Sequence, residues 1–393
     1  MTYLKATGTS TMTVLTAMMD IWLDKNICSN PTAKSTAVQC IESILSTLCL
    51  VRQHDAEMQG FHVLLYAAPS LQRSCVVNIY TSGFTTITIE DGSKDSPLTN
   101  QFMEEIKQKL KKSLQSRMER THWEAIPQIR DAQFTDKQAW IPLIKRCAPV
   151  PNYYTTSDER ILEYDFDKVV FERDSKYQHV KILHSPTLGN CLLLDDMQNL
   201  AEKDINYTRG LMNYKQMCYK DKEILILGGG DGGLLHELLK EEPKHVTMVD
   251  IDEMVISACR DHLRGACGDV LDNMVGKNYE IIIDDCINKM KDYIEEGRLF
   301  DVVFNDLTDF PISSEPQGGH WDFVRKMVTM SMKVLRQNGR LLNHAIGVSC
   351  PSSLETYEKL LKSLPVNVEF SKHSDHVPSF MEEWVFYEIR KLE

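Results

Sequence analysis

The amino-acid sequence predicts an α/β protein whose C-terminal half forms a doubly wound parallel sheet. Two observations support this fold class. From residue 223 onward, short apolar runs alternate with helical stretches, and the first run ends in the glycine-rich segment GGGDGG at 228–233. Strand, helix and strand repeated in this order favour parallel strands that are covered by helices on both faces.

Residues 1–122 form the first predicted domain, which has an α+β composition. The apolar spacing of 36–53 and 100–120 is helical, and the second helix is amphipathic with mixed charge. Residues 61–68 predict one strand, and 75–91 predict two strands around a Thr-Ser-Gly turn. No cluster of candidate catalytic residues occurs in this segment.

Residues 123–200 predict a connector that is followed by a small antiparallel β domain. The connector is marked by three prolines, Pro127, Pro142 and Pro149. Short alternating runs separated by turns then follow at 160–174, 179–185 and 190–196. Such runs are typical of antiparallel strands.

The third predicted domain, residues 201–393, carries the alternating pattern. Its strands are expected at 223–227, 245–250, 279–284, 300–305 and 340–345. Its helices are expected at 232–240, 253–264, 286–296, 321–337 and 352–363. Residues 367–391 predict a closing hairpin. Ligands of such sheets bind beyond the carboxyl ends of the strands, so the residues that follow each strand are the candidate site.

The composition narrows the possible functions. The 393 residues include 44 Lys or Arg and 56 Asp or Glu, a formal charge of −12. This balance disfavours nucleic acid and anionic membranes as partners and suits a cationic ligand. The 11 cysteines form no CxxC pair and no metal-type spacing, so we expect no metal and reduced thiols in the cytoplasm. Neither a signal peptide nor a membrane span is expected.

Acidic residues follow or interrupt four successive strand ends. Asp231 lies in the glycine turn, Asp250 follows the second strand, Asp285 and Cys286 follow the third, and Asp306 follows the fourth. Asp250 lies about 20 residues beyond the first glycine, the offset at which an acidic side chain binds ribose hydroxyls. Each aspartate taken alone is also a candidate helix N-cap. Four of them on one sheet edge favour a ligand site.

The carboxylate of Asp231 indicates which ligand the glycine turn binds. A pyrophosphate needs backbone N–H groups and a helix N-terminus without an opposing negative charge. A positively charged nucleoside fits better, because Asp250 can bind its ribose while Asp231 attracts the cation. S-adenosylmethionine and its decarboxylated form are nucleosides of this kind.

Five segments carry a resemblance to a known family. ILILGGGDGG, VTMVDID, CGDVLDN, NDLT and VPSFMEEWVFY occur in this order along the chain. Together they resemble the spermine synthases of the aminopropyltransferase family over roughly residues 150–393. The resemblance implies a Rossmann-like, methyltransferase-type sheet. It also implies an N-terminal domain that resembles S-adenosylmethionine decarboxylase and forms a homodimer.

The activity that the resemblance implies is the transfer of an aminopropyl group. Decarboxylated S-adenosylmethionine, a co-substrate, would donate the group to spermidine, giving spermine and methylthioadenosine without any cofactor. Asp306 and Asp231 are similar to the catalytic carboxylates. The donor site is implied to contain Gln178, Asp231, Asp250, Asp285 and Cys286. The polyamine site is implied to contain Asp204, Tyr207, Glu382 and Trp384.

The sequence departs from the family pattern at two single positions and in the segment LLNHAIG after the fifth strand, and three other functions stay open. Asp250 stands where the family has glutamate, and Phe380 stands where it has tyrosine. A spermidine synthase would use putrescine, although NDLTDFP replaces the DSSDP-like stretch of those enzymes. An S-adenosylmethionine methyltransferase leaves Asp231 unexplained. The presence of both Asp231 and Asp306 disfavours a catalytically inactive polyamine-binding protein.

Overall fold

The computed structural model describes residues 14–23, 28–114, 138–146, 150–158, 160–307, 311 and 319–392. The chain divides into two compact units, residues 1–151 and 152–393, and each is described by itself. The division into 1–122, 123–200 and 201–393 stays a prediction.

The first unit contains an antiparallel sheet. Its described strands are β1 (Val14–Trp22), β2 (Val51–Met58), β3 (Phe61–Ala68), β4 (Arg73–Tyr80), β5 (Phe84–Asp91) and β6 (Gln138–Arg146), in the order β2-β3-β4-β5-β1-β6. Helices α1 (Pro31–Leu45) and α2 (Asn100–Leu114) accompany this sheet. Alternate strand residues such as Leu64, Val77 and Ile87 form one core with Ile41 and Ile106 of the helices. The period-two burial explains why β3, β4 and β5 are strands.

The sequence underestimated the number of strands in this unit. β2 occupies the sheet edge, and most of its residues are exposed, so its sequence VRQHDAEM lacks an apolar alternation. β6 is the other edge strand, and Pro142 lies within it, a position where proline is tolerated. The predicted helix over 36–53 was too long, because α1 ends at Leu45 and β2 begins at Val51.

The second unit begins with short antiparallel strands. A hairpin of β7 (Tyr153–Thr155) and β8 (Ile161–Glu163) comes first. A four-stranded sheet follows, with β9 (Lys168–Asp174), β10 (His179–Ser185), β11 (Gly189–Leu194) and β12 (Met197–Ala201) in the order β12-β11-β10-β9. The predicted run 160–174 covers both β8 and β9, 179–185 is β10, and 190–196 covers most of β11, whereas β7 and β12 were not predicted.

The second unit continues with a mixed sheet of seven strands, which confirms the predicted α/β class. The strands are β13 (Glu223–Gly228), β14 (His245–Asp250), β15 (Tyr279–Ile283), β16 (Phe300–Asp306), β17 (Leu335–Gly347), β18 (Val368–Val377) and β19 (Glu382–Lys391). Their order is β15-β14-β13-β16-β17-β19-β18. The first five are parallel to one another, and β18 and β19 pair antiparallel.

Helices connect these strands. They are α3 (Ile205–Leu211), α4 (Gly233–Leu239), α5 (Glu253–His262), α6 (Arg264–Cys267), α7 (Cys286–Glu296), α8 (Gly319–Val334) and α9 (Pro351–Lys362). The predicted helix over 321–337 ends earlier, at Val334, because β17 already begins at Leu335. No helix in the described ranges has the length and hydropathy needed to cross a bilayer.

Gly228 and Gly297 provide a matched test of how closely β13 approaches β16. Both have positive φ, +84° and +67°, but a Cβ on Gly228 would clash with the carbonyl oxygen of Asp306, whereas nothing lies within 4 Å of a Cβ on Gly297. Gly297→Ala should therefore lower the free energy of unfolding by about 1 kcal/mol, the left-handed backbone cost alone. Gly228→Ala should cost at least about 2 kcal/mol more, because the two strands must separate. Urea unfolding measures both, and equal losses would contradict this account.

Candidate active site

A glycine turn lies between two acidic strand ends at the carboxyl edge of the large sheet. β13 ends at Gly228, which pairs in register with Asp306 at the end of β16. On the other side of β13, β14 ends at Asp250. A Cβ on Gly230 would lie only 2.7 Å from Oδ2 of Asp250. The turn therefore passes between Asp250 and Asp306 at a distance that only glycine permits.

Asp231 lies inside this turn with an incompletely satisfied charge. Its Oδ1 accepts a 2.7 Å hydrogen bond from the backbone N–H of Gly233, the first residue of α4. Burial raises the pKa of Asp231 to about 6, the negative charge of Asp250 adds to this, and the Gly233 N–H opposes it. The side chain remains partly accessible. A cation placed here would favour the ionised carboxylate, so the turn suits a cationic ligand.

Asp250 is fixed in place by the backbone on both of its oxygens. Oδ2 accepts from the N–H of Gly230 at 2.9 Å, and Oδ1 accepts from the N–H of Asp252 at 2.8 Å. Burial raises the pKa of this carboxyl. Each carboxylate oxygen has a further lone pair, so the hydroxyls of a ribose can donate to a group that is already oriented.

Gln178 lies directly before β10 and contacts Asp252 rather than Asp250. Its Nε2 donates to Oδ2 of Asp252 at 3.1 Å, and the hydroxyl of Ser175 donates to the same oxygen at 2.7 Å. Asp252 is the N-cap of α5, where its Oδ1 accepts from the N–H of Met254. Gln178 therefore ties the small sheet to the strand end that carries Asp250.

Asp285 and Cys286 mark the end of β15 and the beginning of α7. Asp285 caps this helix, since its Oδ1 accepts from the N–H of Ile287 at 2.8 Å. Burial raises the pKa of the Cys286 thiol to about 12, so it is not a nucleophile at neutral pH. The N–H of Asp284 donates to the carbonyl of Asp250 at 3.0 Å. The segment that carries Asp285 and Cys286 is thus hydrogen-bonded to the end of β14 at Asp250. The contact of Asp285 and Cys286 with a nucleoside stays a prediction.

Asp306 and Tyr207 form a hydrogen-bonded pair. Tyr207 lies on α3, and its hydroxyl donates to Oδ1 of Asp306 at 2.6 Å. A bond this short to a carboxylate is charge-assisted and orients the acceptor. The ring of Tyr207 is set by Phe380, Phe386 and His344, whose ring centroids lie 5.7–5.9 Å away. Burial lowers the pKa of His344 to about 4, so it adds no positive charge at neutral pH.

Asp204 is buried and makes hydrogen bonds within the protein. Its carboxylate accepts from the N–H of Ala201 at 2.6 Å and from the N–H and hydroxyl of Ser379 at 2.9 and 2.5 Å. Burial raises its pKa. These bonds join the end of β12 to the turn before β19. The hydrogen bonds to Ala201 and Ser379 explain the position of the Asp204 side chain. The polyamine contact expected of Asp204 stays a prediction.

A pocket at the start of β19 holds Glu382 and Trp384. Alternation along the strand buries both side chains and exposes Glu383, as expected. The cavity has a volume of about 50 Å³. The guanidinium of Arg160 donates to Oε2 of Glu382 at 2.5 Å and to Oδ2 of Asp158 at 2.6 Å. We name this group the distal pocket; its lining also includes Phe380, Tyr154, Met197 and Gln198.

Sequence reasoning missed Arg160 and Asp158, which lie between β7 and β8. They are more than 200 positions from Glu382, with a separation of 222 between Arg160 and Glu382. No local pattern marks that pairing, because it depends on how the hairpin packs against β19. The described residues contain no group of His, Cys, Asp and Glu side chains arranged to hold a metal ion.

Comparisons with known proteins bear on this unit. A family profile for the spermine/spermidine synthase domain matches residues 205–393, and one for the spermidine synthase tetramerisation domain matches 152–202. The polyamine aminopropyltransferase of Pyrobaculum arsenaticum is 31% identical over 218 residues, which cover 54% of this chain and 73% of that protein. The chain belongs to the polyamine aminopropyltransferase family. The predicted resemblance is therefore confirmed at the level of the family.

Other polyamine aminopropyltransferases and related structures are also similar. The enzyme of Aeropyrum pernix is 29% identical over 238 residues, covering 59% of this chain and 72% of that protein. The crystal structure of spermidine synthase from Thermotoga maritima has a TM-score of 0.48 and 21% identity, covering 61% of this chain and 78% of that one. A spermidine synthase in complex with the transition-state analogue AdoDATO has a TM-score of 0.48 and 22% identity, covering 61% and 80%.

Asp231→Asn should stabilise the protein in a pH-dependent manner. The folded-state pKa of about 6 lies above the ordinary value of 3.8, so ionisation of Asp231 destabilises the fold as the pH rises through this range. The variant lacks this cost. Its free energy of unfolding should exceed that of the wild type above pH 6, by at most about 3 kcal/mol. The difference should shrink as the pH falls toward 4.

Urea unfolding between about pH 5 and pH 8 measures this effect. A gain that does not vary with pH would mean that Asp231 has no raised pKa. A loss of stability at every pH would mean that the bond to Gly233 needs a full charge.

Proposed function

We propose that this polyamine aminopropyltransferase transfers the aminopropyl group of decarboxylated S-adenosylmethionine to spermidine, giving spermine and methylthioadenosine. One observation carries the proposal: two carboxylates in different surroundings share one sheet edge. Asp231 lies in the glycine turn with a raised pKa, and Asp306 is oriented by Tyr207. The first suits the binding of a cation, and the second suits the acceptance of a proton.

The donor matches the charge of the turn. Its sulfonium and its primary ammonium are both positive, and Asp231 would attract them while Asp250 binds the ribose. Transfer leaves methylthioadenosine, which lacks both charges. Asp231 then has no cation to stabilise its ionised form, and burial again disfavours that form. The attraction that retains the donor is therefore absent for the product.

The acceptor reacts through a nitrogen lone pair that attacks the methylene carbon next to the sulfonium. The carbon–sulfur bond breaks, its electron pair stays on sulfur, and the nitrogen releases a proton. An alkylamine resembles Lys, with a pKa of about 10.4, and Asp has about 3.9, so a complete prior transfer would cost roughly 9 kcal/mol. Asp306 therefore orients the amine and accepts its proton as the new bond forms. Tyr207 donates a hydrogen bond to Oδ1 and thereby orients the carboxylate of Asp306. Neither a metal nor a cofactor has a role in this reaction.

An aromatic wall supports a long acceptor. The ring of Phe380 lies 5.9 Å from that of Tyr207 and 4.6 Å from that of Trp384. The wall thus runs from the Asp306–Tyr207 pair into the distal pocket, where Glu382 is buried. Alkyl segments of a polyamine would pack on the rings, and its far ammonium would bind Glu382. Spermidine has the length and the additional cation that such a path requires.

Arg160 is the observation that favours a second candidate, spermidine synthase activity with putrescine. Its guanidinium forms a 2.5 Å ion pair with the carboxylate of Glu382. A short diamine would react at Asp306 without displacing Arg160. A longer acceptor must share Glu382 with this arginine or shift it toward Asp158.

Assembly and location complete the proposal. We propose a homodimer that forms through the N-terminal unit and acts in the cytoplasm. The strands β3, β4 and β5 bury alternate residues and leave the others partly exposed, which gives the sheet a second face for a partner. The tetramerisation profile matches 152–202 instead, so it supports a further interface on the small sheet. The described cysteines are free thiols, which agrees with a reducing compartment.

The wild-type protein should convert spermidine in preference to putrescine. We expect kcat/KM for spermidine to exceed that for putrescine by about tenfold or more, since one buried charge-assisted contact contributes that much. Chromatographic detection of methylthioadenosine, with the decarboxylated donor and each amine separately, measures both values of kcat/KM.

Asp306→Asn should lower turnover about a hundredfold or more and retain methylthioadenosine binding.

The other outcomes identify the alternatives. Turnover with putrescine alone would establish spermidine synthase activity. A methylated product from S-adenosylmethionine would establish a methyltransferase. Binding of amines without any turnover would establish an inactive polyamine-binding protein.

Glu382→Gln should lower kcat/KM for spermidine by about ten- to hundredfold, because it removes the carboxylate that binds the far ammonium. Glu383→Gln is the matched control, since the side chain of Glu383 is exposed and its carboxylate accepts a hydrogen bond from the hydroxyl of Ser374. It should change kcat/KM less than about twofold. Steady-state kinetics on both variants decides the matter. Sensitivity at Glu383, or at neither position, would place the far ammonium elsewhere.

A further inference from the structure

Gln198 brings an unpartnered amide into the distal pocket. It lies on β12 and lines the pocket together with Glu382 and Trp384. Both amide atoms, Oε1 and Nε2, are buried and have no hydrogen-bond partner in the described part of the chain. A buried polar group without a partner costs about 1–3 kcal/mol. A ligand in this pocket that donates a hydrogen bond to Oε1 would supply a partner for the amide.

Gln198 lies next to a β-bulge in the pairing of β11 with β12. The pairing of β11 with β12 shifts between Leu192 and Leu193, so that Leu192 pairs with Leu200 and Leu193 pairs with Gln198. Asn199 is the additional residue of this bulge. Bulges commonly re-aim a neighbouring side chain at functional sites. The amide that the bulge adjoins is the one that lines the pocket.

Two other polar atoms of the pocket also lack partners among the described residues, and they differ in what they can bind. The hydroxyl of Tyr154 is buried and can accept a hydrogen bond. The indole Nε1 of Trp384 is buried as well, but it is only a donor. An ammonium group carries donors and no acceptor. Oε1 of Gln198 and the hydroxyl oxygen of Tyr154 can therefore accept a hydrogen bond from an ammonium, and the indole N–H of Trp384 cannot.

The charges of the pocket explain why neutral acceptors are useful there. Asp158 and Glu382 both pair with the guanidinium of Arg160. Burial tends to raise the pKa of Asp158, but the hydrogen bonds from Thr156 and Arg160 hold it below its usual value, so it is ionised at neutral pH. The three groups leave one net negative charge, enough for one ammonium. A second ammonium in the pocket needs neutral oxygen acceptors instead.

We propose that Oε1 of Gln198, assisted by the hydroxyl of Tyr154, accepts hydrogen bonds from the internal secondary ammonium of the polyamine. This inference rests on the proposed function and identifies the group that hydrogen-bonds the internal nitrogen of the acceptor. Gln198 is thereby a specificity-determining residue. Putrescine has no such nitrogen and gains nothing from Gln198. A chain of equal length without the nitrogen leaves the amide unsatisfied, and sites built to hydrogen-bond a substrate discriminate strongly against such analogues.

A double comparison of enzyme and acceptor tests the proposal. Spermidine is compared with 1,8-diaminooctane, in which a methylene replaces the internal N–H and the length is kept. Wild type is compared with Gln198→Leu and Gln198→Met. The wild type should prefer spermidine in kcat/KM by about tenfold or more, and both variants should lose most of this preference. Met197→Leu, an apolar change in the same strand and pocket, should retain it. Each variant should bind methylthioadenosine as the wild type does, which verifies that the fold and donor site are intact.

The outcomes separate this inference from the proposed function. If the wild type turns over spermidine and the Gln198 variants keep the full preference over 1,8-diaminooctane, the inference is overturned and the proposed function stands. If the wild type accepts putrescine but not spermidine, the proposed acceptor is wrong and the inference falls with it. An equal loss of preference in Met197→Leu would assign the effect to pocket shape and also overturn the role of the amide.

Discussion

Parallel pairing in the large sheet forces like charges together, and the rest of the site depends on this constraint. β13, β14 and β16 end at the same edge, so the turn after β13 passes between Asp250 and Asp306 and places its own carboxylate, Asp231, beside them. Carboxylates in a partly dry site repel one another. The fold limits this cost with backbone N–H groups on Asp231 and Asp250 and with the hydroxyl of Tyr207 on Asp306. The remaining negative charge is what a cationic ligand would neutralise.

Among the described residues around these carboxylates, few cations are placed where they would compete with a ligand. His344 lies beside Tyr207, but burial lowers its pKa to about 4 and keeps it neutral. Phe380 and Trp384 continue the wall without charge. Arg160 is the exception, and its place is the distal pocket, where Asp158 and Glu382 hold it. Among the described residues, the positive charge of Arg160 is thus located away from Asp306, in the distal pocket.

The sequence was sufficient for the elements whose position follows from local patterns. The glycine turn, the strand ends at Asp250 and Asp306, and the exposed Glu383 all followed from spacing and alternation. Side-chain partners did not. Gln178 contacts Asp252, and Asp204 bonds to Ser379, 175 positions away, because β10 and the turn before β19 pack there. The edge strand β2 was missed because solvent, not a core, faces its residues.

The same constraint gives the proposed reaction a direction. A donor with two positive charges would be held where Asp231 is costly to ionise alone, so binding would relieve part of the repulsion in the empty turn. Transfer of the aminopropyl group removes both charges from the nucleoside and leaves the positive charge on the new polyamine. The nucleoside would then lose its attraction to Asp231, while the polyamine remains associated with Asp306, Glu382 and the aromatic wall. The loss of this attraction would favour release of methylthioadenosine. A turn without Asp231 would therefore bind the donor more weakly and would no longer distinguish the charged donor from the uncharged product.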